Sequence, residues 1–196
     1  MKTFTKTTTT TESLLEIIRE DYPSSPREWS NLGYFITVDR SYNSPDENNC
    51  LERIIKDTGE TAEDQDDHIK KIKKEVEESL DEKVLEIYPV TKYEHSGISY
   101  SLGNRHGFDC SNNGFYIITD KTLKEVETKK EDFEKVIEQE LEIYNKYCNG
   151  EVYSFALFDE EGELIDSCGG FYDIENIKVY LPESWKDEDL QEYFKD

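Results

Sequence analysis

The sequence is short of positive charge. Against 46 Asp and Glu it carries 23 Lys and Arg, a formal net charge of −23 and a pI near 4.4. Phosphate contacts need Lys and Arg, so a broad basic face for nucleic acid is excluded. An anionic membrane surface repels such a chain for the same reason. No apolar run approaches the roughly 20 residues that span a bilayer, and no secretory signal pattern is present. Neither Gly-x-x-x-x-Gly-Lys-Ser/Thr nor Gly-x-Gly-x-x-Gly occurs, which removes the usual phosphate cradles. Alanine stands only at positions 62 and 156, and the cysteines Cys50, Cys110, Cys148 and Cys168 form no C-x-x-C pair. Without an export pattern they read as free thiols in a reducing cytosol.

What the chain has instead is aromatic area: 13 Tyr, 9 Phe and 2 Trp. Aromatic side chains bury much surface per residue, and disordered chains are poor in them. At 196 residues the chain suits one compact domain. Residues 1–11, a threonine tract, read as a disordered arm, and 12–196 as a single α+β domain with an acidic helical insertion at about 51–82. Leu14, Leu15, Ile17 and Ile18 fit either a helical turn or a strand. The β-branched and aromatic stretch 33–40 reads as a strand. Leu51, Ile54 and Ile55 suggest a short helix, followed by an acidic loop over 57–67. Ile69, Ile72, Val76 and Leu80 recur at helical spacing over 64–80. Three strands follow, near 83–93, 96–103 and 113–120, with Pro89 marking an edge or bend and Asn113-Gly114 a turn.

The longest helix is expected over 122–147. Capping boxes are available at Thr122/Glu125 or Thr128/Glu131, and Asn149-Gly150 forms a stop. Residues 151–173 read as a hairpin turning at Glu160-Glu161-Gly162, and 174–182 as an edge strand. Pro182 then opens a short acidic helix around Trp185, Leu190, Tyr193 and Phe194. Hairpin-linked strands separated by helices argue an α+β fold with an antiparallel or mixed sheet, one long and several shorter helices packed on it.

Two groups of residues could carry function. His95, His106, Asp109 and Cys110 form a cluster of metal-ligand or Cys–His type. Their spacing matches no closed zinc signature, and a reactive thiolate needs positive neighbours that this chain is short of. The other group is the carboxylates. The stretch 151–196 holds 14 acidic residues against Lys178, Lys186 and Lys195. Ordered carboxylates at a density near that of B-DNA, about one charge per 1.7 Å, can compete for the basic groove of a nucleic-acid-binding protein. Such association is electrostatically steered and salt-sensitive. The candidate partner-binding residues are Asp159, Glu160, Glu161 and Glu163 on the hairpin, Asp187, Glu188 and Asp189 near the C-terminus, and Glu60, Glu63, Asp64, Asp66 and Asp67 in the acidic loop.

The segments at Pro26–Gly33 (Pro-Arg-x-Trp-x-Asn-Leu-Gly), Tyr93–Ile98 (Tyr-x-His-x-Gly-Ile), Asp109–Ile117 and Val152–Tyr172 resemble those of a largely uncharacterised family of small phage and mobile-element proteins. Phe108 stands where that pattern commonly has Trp, and Asp173 where it has Gly. The motif residues Trp29, Tyr93, His95, Asp109, Asp166, Cys168 and Tyr172 carry no assigned role in it. Trp29, Leu32, Tyr93, Ile98, Phe115, Tyr153, Phe155, Phe171 and Tyr172 equally serve as core. The resemblance and the charge together give the expectation of a non-enzymatic accessory protein of the bacterial cytoplasm. It would inhibit a nucleic-acid-handling host defence protein, a CRISPR effector or restriction enzyme, by acidic mimicry. No cofactor, membrane or direct nucleic-acid partner is expected. The alternatives are a metal-binding or hydrolytic protein using the histidine cluster, or a general protein-interaction module.

Overall fold

The computed structural model describes residues 6–10, 13–39, 42–187 and 190. By contacts the chain divides into two compact units, where one domain was expected. The central unit is Pro26–Asn145; the terminal unit joins Met1–Ser25 to Lys146–Asp196. Each contains one four-stranded antiparallel sheet, and the fold is α+β as expected.

The sheet of the terminal unit has the order β1-β2-β7-β8, from β1 (Lys6–Thr10), β2 (Ser13–Arg19), β7 (Tyr153–Phe158) and β8 (Leu164–Phe171). Residues 6–10 therefore correct the expected disordered arm: Lys6 pairs with Ile17 and Thr10 with Ser13. Threonine is β-branched and suits a strand once a partner is beside it. The remaining positions of that arm lie outside the described residues. Alternation resolves the ambiguity of 14–18, since Leu15 and Ile17 point into the core while Glu16 does not. They meet Phe155, Leu157, Phe171 and the fully buried Trp185. Residues 174–178 correct the expected edge strand. Asp173 caps a short helix there, α5 (Ile174–Lys178), by accepting the Glu175 N–H. Ile177 and Leu181 then reach the same core while Val179 between them is 75% exposed, whereas a strand would put all three on one face. A further short helix, α6 (Glu183–Lys186), follows Pro182 and carries Trp185.

The sheet of the central unit has the order β3-β6-β4-β5, from β3 (Tyr34–Thr37), β4 (Val84–Glu94), β5 (Ile98–Leu102) and β6 (Cys110–Thr119). Helices α1 (Asn49–Thr61) and α2 (Gln65–Leu80) cover one face, packing Leu51, Ile54, Ile72 and Val76 against Ile36, Phe115 and Ile117. The acidic stretch 57–67 is thus mostly helix, because the buried stripe of α1 continues through Thr58, whose hydroxyl donates to the Ile54 carbonyl. His68 ties the two helices by an Nε2 contact of 3.0 Å with the Ile55 carbonyl oxygen. The opposite face holds Phe35 and Tyr116, and Phe35 packs edge-on to Tyr100 and Tyr144. Tyr144 belongs to α4 (Phe133–Cys148), as do the buried Phe133, Ile137 and Leu141. With both faces covered, Phe115–Ile118 is a continuous buried run.

The expected helix 122–147 is split. A single turn, α3 (Thr122–Glu125), ends at the extended Val126, and α4 starts only where the apolar stripe starts. Neither capping box forms; the Thr122 hydroxyl turns back to the Thr119 carbonyl instead. Asn113-Gly114 is no turn but part of β6, where a Cβ on Gly114 would stand 3.0 Å from the Val90 carbonyl oxygen. Pro89 lies just beyond the last β4–β5 pair, where its carbonyl accepts the Gly103 N–H (2.8 Å), so its missing N–H faces the end of β5 and breaks no bond to β6.

A buried ionic knot joins the first loop of this unit to sheet and helix. The Arg27 side chain, 5% exposed, donates Nε and Nη2 to Asp46 (both 2.8 Å), Nη1 to Glu140 (3.0 Å) and Asn31 (3.0 Å), and Nη2 to the Gly33 carbonyl (2.7 Å). All five guanidinium donors are used. Burial opposes the charge, and Asp46 more than compensates, so Arg27 is held firmly protonated. Glu140 also accepts the Leu32 N–H (2.8 Å) and the Tyr116 hydroxyl. Gly33 is required here, since a Cβ would lie 2.5 Å from the Ile117 carbonyl oxygen.

Replacing Arg27 with Met leaves Asp46 and Glu140 buried without their cation, and the loss expected in urea denaturation is about 3–5 kcal/mol. Tyr116→Phe removes one hydroxyl and should lose only about 1–2 kcal/mol. A smaller loss for Arg27→Met than for Tyr116→Phe would show that the knot does not organise the unit.

Candidate functional site

The central unit contains an open cleft of ≈ 970 Å³. It lies where the end of β4 (Lys92, Glu94, His95) meets the start of β6 (Asp109, Cys110, Ser111) and the residues after β3 (Asp39, Tyr42). Three of the four residues of the expected cluster, His95, Asp109 and Cys110, line it. His106 is exposed and does not. Among the described residues no hydrogen bond joins the His95 ring to Cys110 or Asp109, and no three His, Cys, Asp or Glu converge as a metal site.

The charged centre of the cleft is one that sequence reading missed. Lys92, 7% exposed, pairs with Asp39 and with Glu94 Oε2 (3.0 Å). Its ammonium lies 4.1 Å from the centroid of the Tyr42 ring. Tyr42 in turn donates its hydroxyl to Glu94 Oε1 (2.5 Å). Burial works against the Lys92 charge, but the hydrogen bonds to Asp39 and Glu94 outweigh it and raise its pKa. The Tyr42 hydroxyl, then Lys92, holds the Glu94 carboxyl below the usual range. A lysine kept protonated by two carboxylates is no nucleophile or base; the network of Lys92, Asp39, Glu94 and Tyr42 fixes the cleft wall. Alternation within Val90–Glu94 carries a faint signal for it, as a Lys sits there between Thr91 and Tyr93.

The expected partner-binding carboxylates fall into two groups on different units. On the β7–β8 turn, Asp159 builds the turn: its Oδ1 accepts the Glu163 N–H at 2.8 Å, and Gly162 takes φ +84°. Glu160, Glu161 and Glu163 are exposed and meet no cation among the described residues. Asp187 is exposed after α6, while Glu188 and Asp189 lie outside the described residues. In the central unit, Asp64 caps α2 by accepting the Asp67 N–H (2.8 Å). Asp67 pairs with Lys71 (2.7 Å) and accepts the Glu63 N–H (3.1 Å), and Lys71 first, then that N–H, lowers its pKa. Asp64 and Asp67 are therefore committed to the helix start. Glu60, Glu63 and Asp66 remain exposed near it.

The motif residues separate in the same way. Leu32, Phe115, Phe155 and Phe171 are core, as expected. Trp29 and Tyr93 are not, at 52% and 40% exposed. Tyr153 and Ile98 are half-buried. Tyr172 is half-buried too, and its hydroxyl is pushed up to about 12 by burial, then by Tyr147 and Glu20. Asp166 and Cys168 are exposed on β8. Sequence reading missed Arg27, whose signal was its place between Pro26 and Trp29 in a chain of few arginines. It also missed the exposed apolar residues around β8.

Because the folded pKa of Glu94 lies below its unfolded one, its contribution to stability is complete above the unfolded value. It is lost as pH falls through the folded one. An NMR carboxyl titration should find Glu94 titrating below the usual glutamate range in the intact protein, and moving up in Tyr42→Phe. An unchanged Glu94 midpoint in that variant would remove the hydrogen bond as its main cause. Compared with known protein families, curated proteins and solved structures, the chain finds no match.

Proposed function

We propose that this chain is a protein-binding module, not an enzyme, whose carboxylates occupy a basic nucleic-acid-binding face of a partner. One observation carries the reading. The end of the β7–β8 hairpin presents Glu160, Glu161 and Glu163 to solvent with no cation beside them among the described residues, on a chain of net charge −23. Unneutralised charge on an ordered turn attracts a cationic face from beyond contact range and fixes the approach. The resemblance to small phage and mobile-element proteins makes the partner a bacterial defence protein that handles nucleic acid, and the outcome of binding inhibition. The two members of the acidic set that the helix start of α2 consumes, Asp64 and Asp67, drop out of the proposed contact surface. The hairpin and Asp187 remain, with Glu60, Glu63 and Asp66 as a second group.

A second reading takes the His95–Asp109–Cys110 cleft as a small-molecule site, favoured by its volume of ≈ 970 Å³ and its mixed polar and aromatic lining. It supplies no activated nucleophile and no metal centre among the described residues.

Immobilised protein incubated with the heparin-binding fraction of a bacterial lysate tests the first reading. Proteins retained at low salt should be displaced by added duplex DNA. The triple variant Glu160→Gln/Glu161→Gln/Glu163→Gln should weaken retention by about tenfold, the worth of three exposed charge contacts at roughly 0.5 kcal/mol each. The same proteins held by the triple variant at the same salt would sink the reading.

A further inference from the structure

Strand β8 is the last strand of its sheet, paired on one side to β7 and on the other to no strand among the described residues. From Leu164 to Gly170 every residue is exposed. Leu164 and Ile165 are 57% and 55% exposed, and beside the strand Val179 and Tyr180 are 75% and 57% exposed. Cys168 to Phe171, with Val179 and Tyr180, border a shallow groove of ≈ 420 Å³. Proteins usually blunt such an edge with Lys, Pro or a covering element; β8 contains neither residue.

What guards this edge is a carboxylate. The Ser167 N–H donates to Asp166 Oδ1 (2.8 Å), so an N–H that would template another strand is taken by the strand's own side chain. Bulges on either side, at Ile165 and at Gly169-Gly170, confine regular pairing to Asp166, Ser167 and Cys168. The guard is selective by charge. Two copies of β8 paired antiparallel about Asp166 or Ser167 would place the two Asp166 carboxylates opposite or diagonal to each other. Like charges across a strand pair are destabilising. A cationic chain has the opposite effect: its ammonium draws off Asp166 and frees the Ser167 N–H for an incoming carbonyl. Backbone bonds then supply affinity, and a side-chain pocket supplies preference.

We propose that β8 accepts an extended, Lys- or Arg-bearing segment of a partner protein as a fifth strand, with one apolar side chain of that segment seated in the groove beside Val179 and Tyr180. The proposal stands on the strand edge and its charge, not on competition with nucleic acid.

The probe is a synthetic peptide of alternating Lys and Val with one central Phe, titrated into the ¹⁵N-labelled full chain. Amide shifts should centre on Asp166–Gly170, and hydrogen exchange at Ser167 should slow. The same peptide N-methylated at alternate backbone amides keeps the charge but cannot pair as a strand, and should bind at least tenfold more weakly. Ser167→Pro should weaken the unmodified peptide equally, and Val179→Asp should weaken the Phe peptide more than one with Ala in its place. The triple glutamine hairpin variant should keep the full N-methylation penalty, which separates this site from the competition reading. Equal binding of the N-methylated peptide, or shifts confined to Glu160–Glu163, would show charge attraction alone and overturn the proposal. Concentration-dependent dimerisation of the free protein with Ser167 protected would overturn it in favour of a second copy.

Discussion

The central unit depends on one nearly buried guanidinium. Arg27 is anchored by Asp46 from the loop before α1, by Glu140 from α4 and by the Gly33 carbonyl at the entry to β3. Remove the cation and two carboxylates are stranded in low dielectric, which is more damaging than losing the pair as a whole. The same carboxylates hold backbone: Asp46 accepts the Phe35 N–H (2.6 Å) and Glu140 the Leu32 N–H (2.8 Å). The knot therefore fixes where β3 begins, and β3 sets Phe35 and Ile36 on their opposite faces of the sheet. Asn31, another motif residue, braces the turn by donating to the Pro26 and Trp29 carbonyls. The Pro-Arg-x-Trp-x-Asn-Leu-Gly segment is thus a structural device, with Trp29 left half in solvent.

Negative charge is handled in two ways. Some carboxylates are used up inside the fold: Asp46 and Glu140 on Arg27, Glu94 on Lys92 and Tyr42, Asp64 and Asp67 at the start of α2. Others are left in solvent with no cation beside them among the described residues, and the β7–β8 turn is the clearest case. Excess charge of one sign weakens a compact state through self-repulsion, and its retention on an ordered turn fits the proposed partner of opposite sign. The neighbouring edge of β8 points the same way, being open to strands yet screened from its own kind by Asp166.

The sequence was most legible where one period dominates. The stripe Ile69–Ile72–Val76–Leu80 read as α2 because nothing else spaces apolar residues so, and the 151–173 hairpin read from alternation around Gly162. It was least legible where a local signal had a tertiary purpose. Asn113-Gly114 looked like a turn, but the glycine serves the close approach of β4. The Ile174–Leu181 stretch looked like a strand until Asp173 capped it and Ile177 found the core. Residues 6–10, a Lys and four Thr, carry no apolar alternation in the sequence to announce β1, only the neighbouring β2 to pair with. At the site, His95, Asp109 and Cys110 of the expected cluster line one cleft and His106 does not, while Lys92 and Arg27 left only faint signals, a Lys inside an alternating strand and an Arg beside Pro26.

Carboxyl footprinting of the chain, free and captured on its lysate partner, tests most directly whether the hairpin rather than the cleft meets other molecules. Protection from labelling concentrated at Glu160, Glu161, Glu163 and Asp166, with Asp39, Glu94 and Asp109 unchanged, is the result this account predicts. Protection confined to Asp39, Glu94 and Asp109 would place the functional surface in the His95 cleft and contradict it.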